Sequence, residues 1–512
     1  MFSLLPAAPP PAPEDCLRRR PKAFAGRVPP CGVCAFLCGV LALPALFAAT
    51  PHPLGTQREL FVDRALVASM DGVELRMHHP EHQGVAIAFD EPWEGAFSAY
   101  ATILKDGHRY RMYYRGLPGP EVVDRRAVTC YAESLDGIHW VKPELGLHEV
   151  NGSGRTNVIL GEVDVHSRNF SPFLDTRPGV PPSERFKAIA GDEANGLLAF
   201  VSADGIHWRP FHDDYIFTEG MFDSHNVAFW SASEEQYVCY FRTWTGEGFS
   251  GWRTISRTTS PDFLHWSDPV EMSYGDTPPE HLYTNGTHPY FRAPHIYIAL
   301  AKRFFPEQAG YTGADAAALV VEGATTATSS DAVLMSTRGG PTYDRTFMEA
   351  FIRPGPTPRD WVARDNTPAL GVVPLNPREM AIYRMSHYGQ PTAHLALYTL
   401  RTDGFVSAHA GYDGGTLTTT PLTFDGDALE INFATSAAGE LRVELLHPDG
   451  TPIDGFTRDA CQPLRGDEIS RLVQWDDAPD LSALSGHPVR LRFHLRDGDL
   501  YSYRFLPQRT AH

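Results

Sequence analysis

Cysteine is scarce in this sequence, which has seven cysteines among 512 residues. Near the start, Cys31 and Cys34 form a CxxC pattern inside a short apolar run. We interpret this pattern as part of the run rather than as a zinc site. Beyond residue 49 the chain holds Cys130, Cys239 and Cys461, which allow at most one disulfide. The sequence therefore excludes a fold that depends on a disulfide framework.

Positive charge is also in short supply. The chain has 44 Lys and Arg residues against 62 Asp and Glu residues, a formal net charge of −18. Such an excess of negative charge repels phosphate backbones and anionic lipid surfaces. We therefore expect neither nucleic acid nor an anionic membrane surface as a partner, and a solvated acidic surface accounts for the charge.

Long apolar runs are rare, and Val33–Phe47 is too short for a comfortable membrane span. The basic stretch Arg18–Lys22 precedes this run, and the small residues Ala48 and Ala49 follow it. This order predicts a signal peptide at residues 1–49 and a secreted or periplasmic protein. No stable membrane insertion is expected after cleavage, and an uncleaved N-terminal anchor is the alternative.

A short phrase occurs three times in the chain. It reads SLDGIHW at 134–140, SADGIHW at 202–208 and SPDFLHW at 260–266. Ser and Asp side chains can accept hydrogen bonds from the backbone N–H groups of a tight turn, Gly permits positive φ, and Trp packs over the hairpin. A spacing of about 60 to 70 residues indicates four-stranded propeller blades.

The chain as a whole predicts an all-β fold: a five-bladed β-propeller over residues 55–411, followed by a C-terminal β-sandwich over 416–508. The fourth repeat has a degenerate turn at 337–340, and the fifth is predicted as strands Met380–Met385, Leu395–Leu400 and Phe405–Ala410. The strand Glu59–Val67 is expected to complete the fifth blade and close the ring. Beyond Thr416 the strands lack the phrase, which favours the sandwich.

Polar residues at the starts of the inner strands should converge on a central funnel. We take Asp223, Glu280, Glu94 and Glu379 as candidate catalytic carboxylates, each with a turn or a solvated loop as its structural alternative. Amides, basic groups and aromatic rings suit a sugar, so the candidate substrate-binding residues are His166, Arg168, Asn169, Ser224, His225, Asn226, Arg242, Tyr283 and Arg292. No metal or cofactor is expected, since no second His stands at ligand spacing from His225.

The repeated phrases, the five repeats and the C-terminal strands resemble glycoside hydrolase families 32, 43 and 68. The strings SLDGIHWVKPELGLHEVNGS, FDSHNVAFW, EHLYTNGTHPY and LRTDGFVSAHAG resemble, over residues 55–508, exported bacterial proteins described as glycosidase-like. The resemblance implies three carboxylates on the first three blades. Asp90 or Glu94 matches the first, Asp223 matches the third, and Asn169 stands where the second carries an acid.

These observations predict an exported glycoside hydrolase that acts on a poly- or oligosaccharide. Asp223 or Glu280 is expected as the general acid and the other as the base. Asn169 in place of an acid favours the alternative of a non-catalytic carbohydrate-binding propeller. A sugar phosphorylase or a sialidase-type enzyme is the third hypothesis, with Arg242, Arg292 and Arg303 as candidates for a phosphate site.

Overall fold

The structure is a computed structural model that describes residues 50–117, 119, 127–161, 169–192, 195–477 and 479–507. The predicted signal peptide lies outside these residues. Within them, no helix has the length and apolar character needed to cross a membrane.

The described chain is nearly all β. Its N-terminal strands are β1 (His52–Gly55), β2 (Glu59–Leu60), β3 (Val67–Asp71), β4 (Val73–Met77) and β5 (Glu81–Ala88). The strands of the first two repeats are β6 (Ala99–Asp106), β7 (Arg109–Gly116), β8 (Val128–Ser134), β9 (Val158–Leu160), β10 (Ser171–Leu174), β11 (Phe186–Asp192), β12 (Gly196–Ser202) and β13 (Arg209–Pro210).

The third to fifth repeats contain β14 (Val227–Ser231), β15 (Gln236–Trp244), β16 (Arg253–Ser260), β17 (Val270–Glu271), β18 (Leu282–Thr284), β19 (Thr287–Tyr290), β20 (Ala293–Phe305), β21 (Ser329–Thr337), β22 (Val373–Pro374), β23 (Glu379–Ser386) and β24 (His394–Arg401). The C-terminal strands are β25 (Val406–Ala410), β26 (Gly415–Thr419), β27 (Leu422–Phe424), β28 (Ala428–Leu446), β29 (Asp467–Leu472) and β30 (Arg490–Leu506). The helices are α1 (Gly313–Ala317) and the 3₁₀ turns Pro182–Glu184, Pro358–Trp361 and Leu481–Leu484.

Five antiparallel sheets form the blades, which confirms the predicted five-bladed propeller. The first three are β6-β7-β8-β9, β10-β11-β12-β13 and β14-β15-β16-β17, each a meander of consecutive strands. In the fourth, β18 and β19 together form an interrupted inner strand that pairs with β20, which pairs with β21. The fifth blade has the order β22-β23-β24-β5.

The strand that closes the ring is not the one predicted. β5 at Glu81–Ala88 pairs with β24 and completes the fifth blade, whereas Glu59 and Leu60 pair with β30 in the C-terminal sheet. The expectation that Glu59–Val67 closes the ring is therefore wrong. Phe405–Ala410 likewise leaves the propeller, since β25 pairs with β4 and β30.

The Ser/Asp phrases form the predicted turns. In the first, Ser134 Oγ accepts a hydrogen bond from Gly137 N at 2.9 Å, and Asp136 Oδ1 accepts from the N–H groups of Ile138 and His139, each at 2.8 Å. The fourth residue of the phrase has positive φ, which is 75° at Gly137 and 72° even where Phe263 replaces glycine. The phrase therefore specifies the turn through its side chains, and glycine only lowers the strain.

Five of the six C-terminal strands belong to one eight-stranded sheet that also takes in β2, β3 and β4, whereas β27 pairs with β1 in a two-stranded sheet. β28 and β30 pair along most of their lengths, and the other edge of β30 carries β26, β25 and β2 in turn. A C-terminal sandwich is therefore not confirmed. The largest apolar core joins this sheet to the fourth and fifth blades, through residues such as Tyr503, Leu491, Ile298 and Ile382.

Candidate functional site

The starts of the inner strands meet around the propeller axis. Ile103 N donates to Leu370 O at 2.8 Å, which joins the first and fifth blades. Ser224 Oγ donates to Tyr283 O at 2.7 Å and joins the third blade to the fourth. We call the region around Tyr100, Asn169, Asp223, Arg242 and Tyr283 the funnel entrance.

Asp223 is the accessible carboxylate of this region. Its side chain is 35% exposed, and one carboxylate oxygen lies 3.4 Å from Arg242 Nη2, whose guanidinium is almost fully buried. That guanidinium also lies 5.2 Å from the centre of the Tyr283 ring. A charge-assisted hydrogen bond is typically shorter, about 2.7 to 2.9 Å, so Asp223 is loosely held and open to a ligand.

His225 follows Asp223 but is a buried packing residue rather than an exposed base. Its Nε2 lies 3.2 Å from Thr102 Oγ1, and its ring centre lies 5.7 Å from that of Tyr100. Burial, assisted by the positive charge of Arg115, lowers the pKa of His225 to about 3. The imidazole is therefore neutral near neutral pH, and it joins the first inner strand to the third.

Aromatic side chains line one wall of the funnel entrance. Tyr100, Tyr283 and Phe304 form a buried cluster, against which the half-buried Tyr388 packs. The guanidinium of Arg115 lies 4.8 Å from the Tyr100 ring centre, and Arg115 Nη2 donates to Phe97 O at 3.1 Å. Aromatic faces of this kind suit the C–H surface of a sugar ring.

Several residues here have an unusual backbone. φ is positive at Tyr100 (55°), Asn169 (58°), Asn366 (62°) and His387 (61°). A non-glycine residue in this region costs about 1 to 3 kcal/mol and persists where the surroundings enforce it, frequently at binding sites. The strain at the starts of the first two inner strands is therefore consistent with a functional role for the entrance.

The buried carboxylate of Asp365 supports this strained backbone. It accepts hydrogen bonds from Asn366 N at 2.8 Å, His387 N at 2.9 Å and Tyr388 N at 3.3 Å. Burial raises the pKa of Asp365. Because its oxygens are occupied by these backbone groups, Asp365 is a positioning residue that holds Tyr388 beside the funnel.

Basic side chains pack against the aromatic wall. The guanidinium of Arg253 lies 4.3 Å from the Trp244 ring centre and 5.6 Å from that of Tyr283. Lys302 Nζ donates to Thr367 Oγ1 at 3.0 Å and to Arg364 O. Burial lowers the pKa of Lys302 to about 7.

Some polar atoms at this site have no hydrogen-bond partner among the described residues. They are buried, and they come from the starts of the second and third inner strands and from the strands behind them: Asn169 Oδ1, Asn226 Oδ1, Arg242 Nε, Trp244 Nε1 and Arg253 Nε. Buried polar groups are normally paired, because leaving one unpaired costs about 1 to 3 kcal/mol. Polar groups of a bound ligand can satisfy such atoms.

Of the predicted site residues, the structure brings seven together at the funnel entrance: Asn169, Asp223, Ser224, His225, Asn226, Arg242 and Tyr283. In one of the contacts that hold them together, Asn169 Nδ2 lies 3.5 Å from Phe222 O. His166 and Arg168 lie outside the described residues.

The other predicted carboxylates are engaged in different parts of the propeller. Glu94 has no exposed surface, and its oxygens accept from Tyr114 Oη and from Lys142 Nζ at 2.6 Å. Glu280 lies between Arg303 Nη1 at 2.9 Å and Arg345 Nε at 3.0 Å. It lines a cavity of about 510 Å³ that also borders Trp252 and Phe304, and Phe304 belongs to the aromatic wall as well.

Glu379 and Arg292 are placed away from an inner-strand start. Glu379 opens β23, the second strand of the fifth blade, where its exposed carboxylate accepts from Asn376 Nδ2 at 2.9 Å. Arg292 Nη1 donates to the buried Asp403 at 2.7 Å. The fifth inner strand runs instead through Pro368–Pro374, whose prolines and Gly371 conceal it in the sequence.

Sequence reasoning found Arg242 but missed Arg115 and Lys302, the other basic residues behind the entrance, and the hairpin register explains how they could be found. In an antiparallel hairpin the last residues of the second strand lie beside the first residues of the inner strand. Arg115 thus pairs with Ala99, and Lys302 pairs with Thr284. A basic residue at the end of the second strand recurs in the first, third and fourth repeats, as Arg115, Arg242 and Lys302.

Comparison with known proteins gives structural neighbours only. No family model matches the chain, and no curated protein matches it. Among solved structures it is similar to a protein described as "Glycoside hydrolase" (TM-score 0.42, 12% identity, 63% of this chain and 92% of that chain). A fructofuranosidase from Schwanniomyces occidentalis complexed with fructosylnystose gives a TM-score of 0.37 at 9% identity over 83% of this chain and 97% of that one.

An N-acetylgalactosamine deacetylase from F. plautii, in complex with blood group B trisaccharide, gives a TM-score of 0.41 at 13% identity over 65% of this chain and 96% of that one. The neighbours thus include glycoside hydrolases, as the resemblance noted in the sequence predicts. The five-bladed architecture itself rests on the strand pairing given above.

Proposed function

We propose that the protein is an exported carbohydrate-active enzyme that hydrolyses a glycosidic bond at the funnel entrance. The observation that carries this proposal is the accessible Asp223 carboxylate, held at the start of the third inner strand beside Tyr283. An acid at this position can protonate a leaving glycosidic oxygen while the sugar ring packs on the aromatic wall.

Asp223 can carry out both proton transfers of the proposed reaction. The Asp223 carboxyl gives its proton to the leaving oxygen, water attacks the anomeric carbon, and the proton lost by water returns to Asp223. The unpartnered oxygens of Asn169 and Asn226 can accept hydrogen bonds from the sugar hydroxyls or from that water. The sequence predicts Glu280 as the second carboxylate of an acid–base pair with Asp223, but its two arginine partners disfavour that role.

A carbohydrate-binding propeller without catalysis is the second candidate. Hydrolases of this chemistry usually carry a pair of carboxylates around the scissile bond. At the second inner strand of this chain the residue is Asn169, an amide that binds hydroxyl groups but cannot transfer a proton. This single difference favours a binding role over catalysis.

The two candidates differ in turnover. The chain from Thr50 onward is screened against polysaccharides and aryl glycosides, and both reducing-sugar release and binding are measured. Sugar release by the wild-type protein and its loss in Asp223→Asn support the hydrolase. Saturable binding without release establishes the second candidate. Export is tested separately, by fractionating cells that express the full sequence and determining the N-terminal residue of the product.

A further inference from the structure

The funnel entrance has an excess of positive charge, in contrast to the chain as a whole. The formal net charge of the protein is −18. At the entrance, however, Arg242 lies 3.4 Å from the one accessible carboxylate described there, that of Asp223, and the guanidinium of Arg253 packs on the same Tyr283 ring as Arg242. The buried Asp365 does not offset them, since backbone N–H groups occupy its oxygens.

Arg253 is held in place without a carboxylate partner. Its guanidinium packs between the rings of Trp244, at 4.3 Å, and Phe304, at 5.0 Å, and forms no ion pair within the described part of the chain. Its Nε has no hydrogen-bond partner there either. Burial lowers the pKa of Arg253, and the positive charges of Arg242 and Arg364 act in the same direction.

Arg364 completes the group from the fifth blade. Arg364 is exposed, and its guanidinium forms no ion pair with any described residue. Its backbone carbonyl accepts a hydrogen bond from Lys302 Nζ, which lies 5.1 Å from the centre of the Tyr283 ring. Arg364 therefore lies beside the aromatic wall, where Tyr283 and Asp223 raise the pKa of its guanidinium. The repulsion that Arg242 and Arg364 exert on Arg253 is relieved when an anion binds.

Two other arginines of this protein, unlike Arg253, have carboxylate partners. Arg303 contacts the carboxylates of Asp331 at 2.6 Å and Glu280 at 2.9 Å. Arg338 likewise pairs with Glu59 and with Asp63, the latter at 2.8 Å. Arg303 and Arg338 are thus each held by two carboxylates, which Arg253 lacks.

We propose that the funnel entrance recognises a saccharide that carries an anionic substituent, a carboxylate or a sulfate, and that Arg253 and Arg364 bind this group. Guanidinium groups bind both anions through paired N–H donors. This inference rests on the proposed carbohydrate function and adds the substrate class. The aromatic wall then packs on the sugar ring, and Asp223 faces the bond to be broken.

The test compares binding to matched oligosaccharides that differ only in charge. The probes are trigalacturonic acid and its methyl ester, together with a wider array of neutral oligosaccharides, each paired with its uronate or sulfated counterpart. Binding is measured on the chain from Thr50 carrying Asp223→Asn, so that cleavage does not remove the probe. The uronate and sulfate members of the array distinguish the two anions.

We expect the charged member of a pair to bind about tenfold more tightly or better, with affinity falling as salt rises. Arg364→Gln should remove most of this preference, whereas Arg364→Lys should retain part of it. The control Arg155→Gln removes an exposed arginine that pairs with Glu144 on the outer part of the first blade, and it should leave the preference intact.

Equal binding of charged and neutral members, preference for the neutral ones, or no binding to any charged member overturns the proposal. So does an Arg364→Gln variant that weakens both members equally. The proposed function fails in a different way. If charged sugars bind and the protein with Asp223 restored releases no sugar, the inference holds and hydrolysis is wrong. If neutral sugars alone are cleaved, hydrolysis holds and the inference is wrong.

Discussion

Asp223 and Arg242 face each other at the funnel entrance with 3.4 Å between a carboxylate oxygen and Nη2. This is longer than the 2.6 Å between Arg303 and the nearly buried carboxylate of Asp331. The long contact and the exposure of its side chain make Asp223 available to a ligand. It also means that Asp223 can be altered with little effect on folding.

Replacing Asp223 by Asn is expected to lower turnover of any identified substrate by about 100-fold or more, because the amide cannot transfer a proton. The free energy of unfolding should change by less than about 1 kcal/mol, since the contact with Arg242 is long and Asp223 is one-third exposed. Initial rates and urea titration check the two parts. Asp213→Asn, on an exposed loop, is the matched control, and an active Asp223→Asn enzyme contradicts the assignment.

Glu94→Gln is expected to affect stability rather than chemistry. Burial raises the pKa of Glu94, an effect that the neighbouring Lys142 opposes. Removing one partner of this buried pair should lower the free energy of unfolding by about 3 kcal/mol. The same lysine also contacts Asp90 at 2.8 Å, but Asp90 is 74% exposed and Asp90→Asn should cost little. A loss of kcat in folded Glu94→Gln protein would return Glu94 to the list of catalytic candidates.

His225 should make the protein sensitive to acid. Burial lowers its pKa from 6.5 to about 3, so between these values the unfolded chain binds a proton that the folded chain does not. Stability therefore falls as the pH falls through this window, by about 2 to 3 kcal/mol at about pH 4.5. His225→Gln should lose this part of the pH dependence. Urea titrations of both proteins at about pH 7 and pH 4.5 measure it, and parallel losses of stability contradict it.

The turn chemistry made most of the propeller predictable. Three Ser/Asp phrases fix three hairpins through local side-chain hydrogen bonds, and local contacts of this kind can be inferred from sequence. The partner of a strand is decided by distant contacts instead. Glu59–Val67 has a convincing strand pattern, but Arg338, which directly follows β21 of the fourth blade, holds Glu59 and Asp63 through ion pairs.

The site was predictable to a similar extent. Asp223, Asn169 and Tyr283 follow from the rule that inner-strand starts converge, and the structure brings them together. The rule failed at Glu379 because the sequence predicts the fifth inner strand one strand later in the chain than the structure places it. Arg253 was missed because it opens a third strand and reaches the entrance only through packing on Trp244.

A buried carboxylate connects the propeller to the C-terminal sheet. Asp403 has no exposed surface and accepts hydrogen bonds from Tyr290 Oη at 2.8 Å, Arg292 Nη1 at 2.7 Å and Ser502 Oγ at 2.6 Å. Arg58 lies 3.6 Å away. These partners come from the fourth blade, the C-terminal sheet and the N-terminal segment, so one side chain links three separate parts of the chain.

Asp403→Ala should therefore destabilise the protein by about 3 to 5 kcal/mol, because it leaves the guanidinium groups of Arg58 and Arg292 with less compensation in a buried position. The apolar core shared by the sheet and two blades predicts that unfolding stays a single transition.

Asp467→Ala is the control. Asp467 also contacts two arginines, Arg378 and Arg401, but its side chain is 54% exposed, so its loss should cost less than about 1 kcal/mol. Scanning calorimetry measures both variants. Two separate transitions would show that the sheet and the propeller fold independently, and equal losses in the two variants would show that burial of Asp403 is not what gives its contacts their strength.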